Sequence, residues 1–265
     1  MNNGFYIKNL EFFYKGHNFF FNAEEIIIEK NKFVSIIGPN GSGKSTFLKL
    51  LSGHEKNFKG EISLYKKNIK NIKRLDFAKF CALLPQECDR GENYKVFDIV
   101  MMGRYPHQNK KDYSFKKEKE IVLLSLKEAG ALEFKNRYFS SLSGGEKKRV
   151  LIASVIAQET DFLLLDEPSS SLDISGQAEI FSLLKNLKNQ GRGVVVATHN
   201  INLASFFSDH IILFEKGKIL KKGTPAQVIK EKYLKKAYGE NISIIDNPQI
   251  NNMKIVLPKT KGEII

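Results

Sequence analysis

Tryptophan is absent from the chain and cysteine nearly so. The two thiols, Cys81 and Cys88, are too few for a disulfide framework and lack metal-type spacing with histidine. They read as reduced structural residues. No apolar run approaches the ~20 residues that cross a bilayer. The first residues, Met1-Asn2-Asn3-Gly4, lack the basic region and apolar stretch of a secretory signal, so a cytosolic chain is expected. Arginines are few, and there is neither an internal repeat nor a low-complexity segment. Acidic residues are in deficit, 29 against 42 basic ones, leaving a net charge of +13. That excess suits an anionic membrane face or a nucleic acid. The lysines, however, are scattered, with local clusters at Lys110-Lys111 and Lys116-Lys117, and describe a solvated surface; no nucleic-acid partner is expected. With 42% hydrophobic residues in 265, the chain can bury a substantial core, as one large domain or a core with a sub-domain.

What the chain does have is Gly38-Pro39-Asn40-Gly41-Ser42-Gly43-Lys44-Ser45-Thr46. It follows an apolar run, Phe33 to Ile37, and precedes a helical run, Phe47 to Leu51, with Gly53 at its end. Strand, glycine loop and helix match G-x-x-x-x-G-K-[ST] at every fixed position. Chance produces such a match in about one random chain of this length in a hundred, before the flanking context is counted. The glycines let backbone N–H groups turn inward around phosphate oxygens, and the helix start adds partial positive charge. Lys44 reaches the β- and γ-phosphates and the Ser45 hydroxyl can ligate Mg²⁺. A nucleoside triphosphate is the expected ligand.

The fold class expected is α/β. Residues 5 to 30 read as β-rich: Phe5-Tyr6-Ile7, Leu10 to Tyr14 and Ile26 to Glu29 are short aromatic or β-branched runs, with a turn at Lys15-Gly16-His17-Asn18. Ile62 to Tyr65 is a further strand. Together they predict an antiparallel sheet beside a parallel core. From about residue 91 strand signals vanish, and Ile121 to Leu126 and the segment after Ser143 look helical. Alternation returns with a buried strand at Phe162 to Leu165, an amphipathic helix from Ala178 to Asn189 closed by Gly191, and a strand at Val194 to Ala197. A hairpin follows, Ile211 to Phe214 and Lys218 to Leu220 about a Lys216-Gly217 turn. Strands alternating with helices predict a parallel sheet covered on both faces.

Ligands in such sheets sit at the carboxyl ends of strands. Three strands end in polar residues suited to phosphate chemistry. Phe162 to Leu165 runs into Asp166-Glu167, where Asp166 can hold Mg²⁺ and Glu167 can orient and deprotonate water. Val194 to Ala197 ends in Thr198-His199, placing His199 to contact the γ-phosphate. Leu83-Leu84-Pro85 ends in Gln86, whose amide can touch Mg²⁺ or the attacking water. Taken singly, Glu167 could be a loop acid, His199 a satisfied strand-end histidine and Gln86 a surface residue. Their matching positions favour function. A second phosphate-binding helix start stands at Ser143-Gly144-Gly145-Glu146, where Ser143 and Glu146 have capping-box spacing and two glycines leave amides bare. No strand precedes it. It makes sense as a cradle for a nucleotide held by another copy of the chain, the two copies head to tail about a two-fold axis.

Together these motifs resemble the nucleotide-binding subunit of an ATP-binding cassette (ABC) transporter over the whole chain. Gly38 to Thr46 matches Walker A, and Gln86 the Q-loop. Leu142-Ser143-Gly144-Gly145-Glu146 is identical to the family signature. Phe162 to Glu167 matches Walker B with its catalytic glutamate, Ser171-Leu172-Asp173 the D-loop, and His199 the switch histidine. Tyr14 falls where the family places an aromatic that stacks on adenine, with Phe12 and Phe13 adjacent. The resemblance implies a P-loop NTPase core with a parallel sheet, an N-terminal antiparallel β part and an inserted α-helical sub-domain. The ATPase domain would span 1–240, with core 1–90 and 160–240, helical part about 91–159, and a C-terminal extension 241–265 containing a short hairpin. It also implies ATP and Mg²⁺ (on Ser45, Gln86 and Asp166), Ser143 and Gly145 on the partner's nucleotide, and a membrane permease. The chain would lie at the cytoplasmic face of the membrane. Val96 to His107, above all Gly103-Arg104-Tyr105-Pro106-His107, resembles importers of iron-siderophores, haem and cobalamin, whose cargo arrives on an extracytoplasmic binding protein. Ile244 to Pro248 and Ile255 to Pro258 resemble the tail of that group. The alternatives are a zinc or manganese transporter, an exporter, or a soluble ABC ATPase acting on nucleic acid.

Overall fold

The computed structural model describes residues 3–14, 20–86, 93–108, 114–250 and 253–259. The expected turn at 15–18, Cys88 and Lys110-Lys111 lie outside the described residues. In chain order the elements are β1 (Gly4–Phe13), β2 (Phe20–Glu29), β3 (Phe33–Ile37), α1 (Lys44–Leu51), β4 (Lys59–Leu64), β5 (Lys67–Asn68), α2 (Arg74–Phe77) and β6 (Cys81–Leu84). Three helices follow, α3 (Val96–Met102), α4 (Phe115–Glu128) and α5 (Gly144–Ala157). Next come β7 (Phe162–Asp166), α6 (Ile174–Asn189), β8 (Gly193–Ala197), α7 (Ile201–Phe207), β9 (His210–Glu215) and β10 (Lys218–Gly223). The chain closes with α8 (Pro225–Val228), α9 (Glu231–Tyr238), β11 (Ile242–Asp246) and β12 (Lys254–Pro258).

Among the described residues ten strands form one sheet, in the order β5-β4-β1-β2-β10-β9-β3-β8-β7-β6. The neighbours β9-β3-β8-β7-β6 are parallel, while β1, β2, β4 and β5 pair antiparallel. The antiparallel part is therefore continuous with the parallel core, through the Lys218–Asn22 pair of β10 and β2 and an Asn22 N–H to Gly217 O bond of 2.8 Å. Strands β3, β7 and β8 are buried along their whole length. Their side chains alternate between two cores. Leu163, Leu165, Val194 and Val196 face the helical side with Val150, Ile152 and Phe181. Phe162, Leu164, Val195 and Ala197 face α1 and the antiparallel strands with Phe21, Phe47 and Phe214. A strand covered on both faces has no polar side, which is why these segments read as unbroken apolar runs.

Two expectations change in detail. Phe5–Ile7 and Leu10–Tyr14, expected as separate runs, form the single strand β1, which ends at Phe13 and leaves Tyr14 just beyond it. A register shift between Lys8 and Glu11, with Asn9 at φ +49, absorbs the polar interruption as a bulge. Helix α6 starts at Ile174, four residues before the expected Ala178, because the Asp173 side chain accepts the Gly176 N–H at 2.8 Å and caps it. The C-terminal hairpin forms from β11 and β12 in register Ile244–Val256. No helix among the described residues is long and apolar enough to cross a membrane.

Between β6 and β7, α3, α4 and α5 pack together around Arg104, which is 1% exposed. Its guanidinium pairs with Glu118 of α4, donates to Ala157 O at the end of α5, and reaches Glu159 at 2.8 Å. Beside it His107 Nε2 lies 2.9 Å from Gln158 O. In the Gly103-to-His107 segment, Arg104 and His107 thus knit the helices together, while Tyr105 is 61% exposed. Removing one member of a buried ion pair strands the other charge, at about 3–5 kcal/mol. Arg104→Ala is expected to lower urea-unfolding stability by that amount, against less than about 0.5 kcal/mol for the exposed Tyr105→Ala.

Candidate functional site

The carboxyl ends of β3, β7 and β8 meet at one edge of the sheet. Their register is locked there: Ala197 pairs with Ile36 on one side and Asp166 on the other. The ladder continues into the loops, with Thr198 N–H donating to Ile36 O (3.0 Å) and Glu167 N–H to Ala197 O (2.9 Å). A cleft of about 900 Å³ opens at this edge. It is lined by Tyr14, by Asn40 through Thr46, and by Gln86, Asp166, Glu167, Ser170 and His199. Its size lies within the usual range for a small-molecule or nucleotide site.

The glycine loop is held by its own backbone. Gly43, at φ +106, ends the loop and leads into α1 without a side-chain cap, so the first-turn amides face an anion rather than a side chain. Gly38 is required for a different reason: a Cβ there would lie 2.5 Å from Phe214 O. Lys44 is buried and donates to Gly38 O (2.8 Å) and Pro39 O (3.1 Å). Burial lowers its ammonium's pKa, against the opposing pull of Glu167 and Asp166. Gly38 and Pro39 lie at the base of the loop and are not among the lining residues.

The two carboxylates differ. Asp166 is buried, and burial raises its pKa against the Ser45 hydroxyl, which donates to it, and the nearby Lys44. Its Oδ1 has no hydrogen-bond partner among the described residues. An orphaned, buried carboxylate oxygen beside a serine hydroxyl, with Gln86 across the same cleft, is a hard oxygen-donor set that fits Mg²⁺. Glu167 sits at φ +48, a conformation that costs about 1–3 kcal/mol in a residue with a side chain. Burial raises its pKa too, opposed mainly by His199. His199 Nδ1 lies 2.9 Å from Glu167 Oε2. A raised carboxyl oriented by a histidine can take a proton from water.

Tyr14 forms the cleft wall, its hydroxyl 3.4 Å from Thr46 Oγ1. Of its neighbours, Phe12 is in the core and Phe13 is not among the lining residues. Ser170 also lines the cleft, and the sequence reading missed it; only its place three residues after Glu167 marks it out. Ser143 and Gly145 do not line this cleft. Ser143 and Glu146 form the capping box, Glu146 N–H to Ser143 Oγ at 3.3 Å and Ser143 N–H to Glu146 Oε2 at 2.7 Å. That backbone bond also lowers the Glu146 pKa. The motif's glycines abut the segment after β7: a Cβ at Gly145 would come within 3.0 Å of Leu172 Cδ2.

The ABC transporter family profile matches residues 22–170. The iron(3+)-hydroxamate import ATP-binding protein FhuC of Bacillus subtilis (strain 168) is 38% identical over 227 residues, covering 85% of this chain and 84% of its own length. Among solved structures, an inward-facing metal-chelate type ABC transporter superimposes with a TM-score of 0.84 at 28% identity, covering 98% of this chain and 99% of its own. The dimeric post-hydrolysis cassette MJ0796, bound to ADP and Pi, gives 0.74 at 28% identity, covering 83% and 98%.

A buried carboxylate with one oxygen left without a partner costs the empty protein stability and serves only the loaded one. Asp166→Asn is expected to raise the stability of the nucleotide-free protein by about 1 kcal/mol. The same change should remove most of the stabilisation that Mg²⁺ and ATP add, read by thermal unfolding with and without both.

Proposed function

The chain belongs to the ABC transporter family as the ATP-binding subunit of an importer, an ATPase, and from that premise we propose that it powers uptake of an iron-siderophore, with haem or cobalamin as the alternative cargo. The observation that carries the chemistry is the convergence of the glycine loop, Asp166, Glu167 and His199 in one cleft. The cargo class is supported by the likeness to the hydroxamate import protein and to the metal-chelate transporter. No group in the cleft is set to recognise a cargo.

In this reading the loop amides and Lys44 clamp the β- and γ-phosphates, and Tyr14 stacks on the base. Ser45, Asp166 and Gln86 hold Mg²⁺, which when bound neutralises phosphate charge. Glu167 orients a water and accepts its proton as the oxygen bonds to the γ-phosphorus and the bond to the bridging β–γ oxygen breaks. His199 fixes the Glu167 carboxylate and registers the γ-phosphate. Residues 1–90 and 160–240 act as the core, 91–159 as the helical part, and 241–265 as an extension. Ser143 and Gly145, outside their own chain's cleft, serve the nucleotide of a second copy docked head to tail. A membrane permease binds this pair at the cytoplasmic face, and an extracytoplasmic binding protein delivers the cargo.

The test is reconstitution in vesicles with the permease that co-purifies with the chain. ATP turnover is expected to rise when a binding protein loaded with a ferric hydroxamate is added outside. Stimulation only by haem, cobalamin, zinc or manganese would replace the cargo. Recovery with ribosomes or DNA and no permease would overturn the transport reading.

A further inference from the structure

The C-terminal segment reaches the ATPase cleft from behind at two points. Helix α9 buries Leu234 and lays Ala237 and Tyr238 against a cluster containing Ile37, the residue before the glycine loop. Beyond it the hairpin grips α7. Asn202 exchanges two hydrogen bonds with the backbone of Val256, Nδ2 to the carbonyl at 3.1 Å and the Val256 N–H to Oδ1 at 2.9 Å. Helix α7 is the element that follows His199, and Asn200 caps it by accepting the Leu203 N–H at 3.0 Å.

Tyr238 is the odd member of this packing. Its hydroxyl is sealed from solvent yet makes no hydrogen bond of normal geometry to the described residues. Its ring packs on the cluster that contains Ile37, the residue directly before Gly38. Burial, with Glu167 acting in the same sense and the Gly38 amide against it, raises the phenol's pKa. The group is a neutral O–H, with a proton to donate and no acceptor among the described residues. Nearby, the Gly38 and Pro39 carbonyls accept from Lys44, the side chain that phosphate draws away.

Resting on the ATPase reading, we propose that Tyr238 is a positioning residue for ATP binding. When Lys44 turns to the phosphates, the Tyr238 hydroxyl donates to the loop carbonyl at Gly38 that Lys44 leaves. Buried carbonyls do not stay unpaired cheaply, so the phenol favours the loaded loop over the empty one. The C-terminal segment thereby helps set the nucleotide affinity of a glycine loop about two hundred residues earlier in the chain.

Tyr238→Phe removes the hydroxyl and keeps the ring. Because an unpartnered buried hydroxyl is lost, the empty variant should be as stable as wild type or more so. Its KM for ATP should rise about tenfold with kcat unchanged, the loss of one hydrogen bond made with bound nucleotide. Tyr233→Phe on the same helix, whose ring meets Lys221 and Lys232, should leave both constants alone. An unchanged KM in Tyr238→Phe overturns the proposal, whatever its stability. A rise in KM matched by a fall in the stability of the empty protein also overturns it, since packing alone would explain both. A wild-type protein that hydrolyses no ATP would instead sink the ATPase reading beneath it.

Discussion

The site depends on the register of three parallel strands about Ala197. That residue pairs with Ile36 of β3 and Asp166 of β7, and its carbonyl takes the Glu167 amide. A slip of one residue in either ladder would turn every side chain to the opposite face, exchanging two cores that are each filled. Alternating large apolar residues on β7 and β8 make that slip prohibitive. The loops after the three strands then leave the sheet at the same level. The glycine loop, the two carboxylates and His199 are neighbours because the hydrophobic cores allow no other alignment.

The cleft concentrates charge in a buried place. Lys44, Asp166 and Glu167 each carry a pKa displaced towards the neutral form, chiefly by burial. Glu167 adds a left-handed backbone, and Asp166 an orphaned oxygen. None of this favours the empty protein. Such features persist where a ligand resolves them: the phosphates of a nucleotide would supply anions to Lys44, and a divalent cation would meet the orphaned oxygen of Asp166. Rigid packing beneath the loop lets the empty state tolerate the strain without relaxing away from it.

Much of this was legible in the sequence because its signals are local. The glycine loop is one contiguous motif between a buried strand and a helix, and Asp166-Glu167 and His199 each end an apolar run. The capping box at Ser143 to Glu146 could be read from spacing alone. Less legible were features decided by distant partners. Nothing in Phe5 to Tyr14 announces that a bulge at Asn9 joins two runs into one strand. Asp173 reads as part of a loop until its side chain is seen capping α6. Arg104 looks like a surface residue, and its burial depends on Glu118, Ala157 and Glu159 from two other stretches. Tyr238 has no motif, and its place beside Ile37 follows from how α9 packs.

Ser143 lies outside its own cleft, so each nucleotide is expected to be completed by a second copy of the chain. Mixed complexes test this most directly, on a Glu167→Gln background that stops turnover. One chain carries Lys44→Ala, which disables its phosphate loop, and the other Ser143→Arg, which blocks its capping motif. Assembled together on the permease, the pair has one intact loop facing one intact motif. The mixed pair is expected to retain Mg²⁺·ATP through gel filtration while neither variant alone does. No retention by the mixed pair, or equal retention by the Ser143→Arg chain alone, would contradict it.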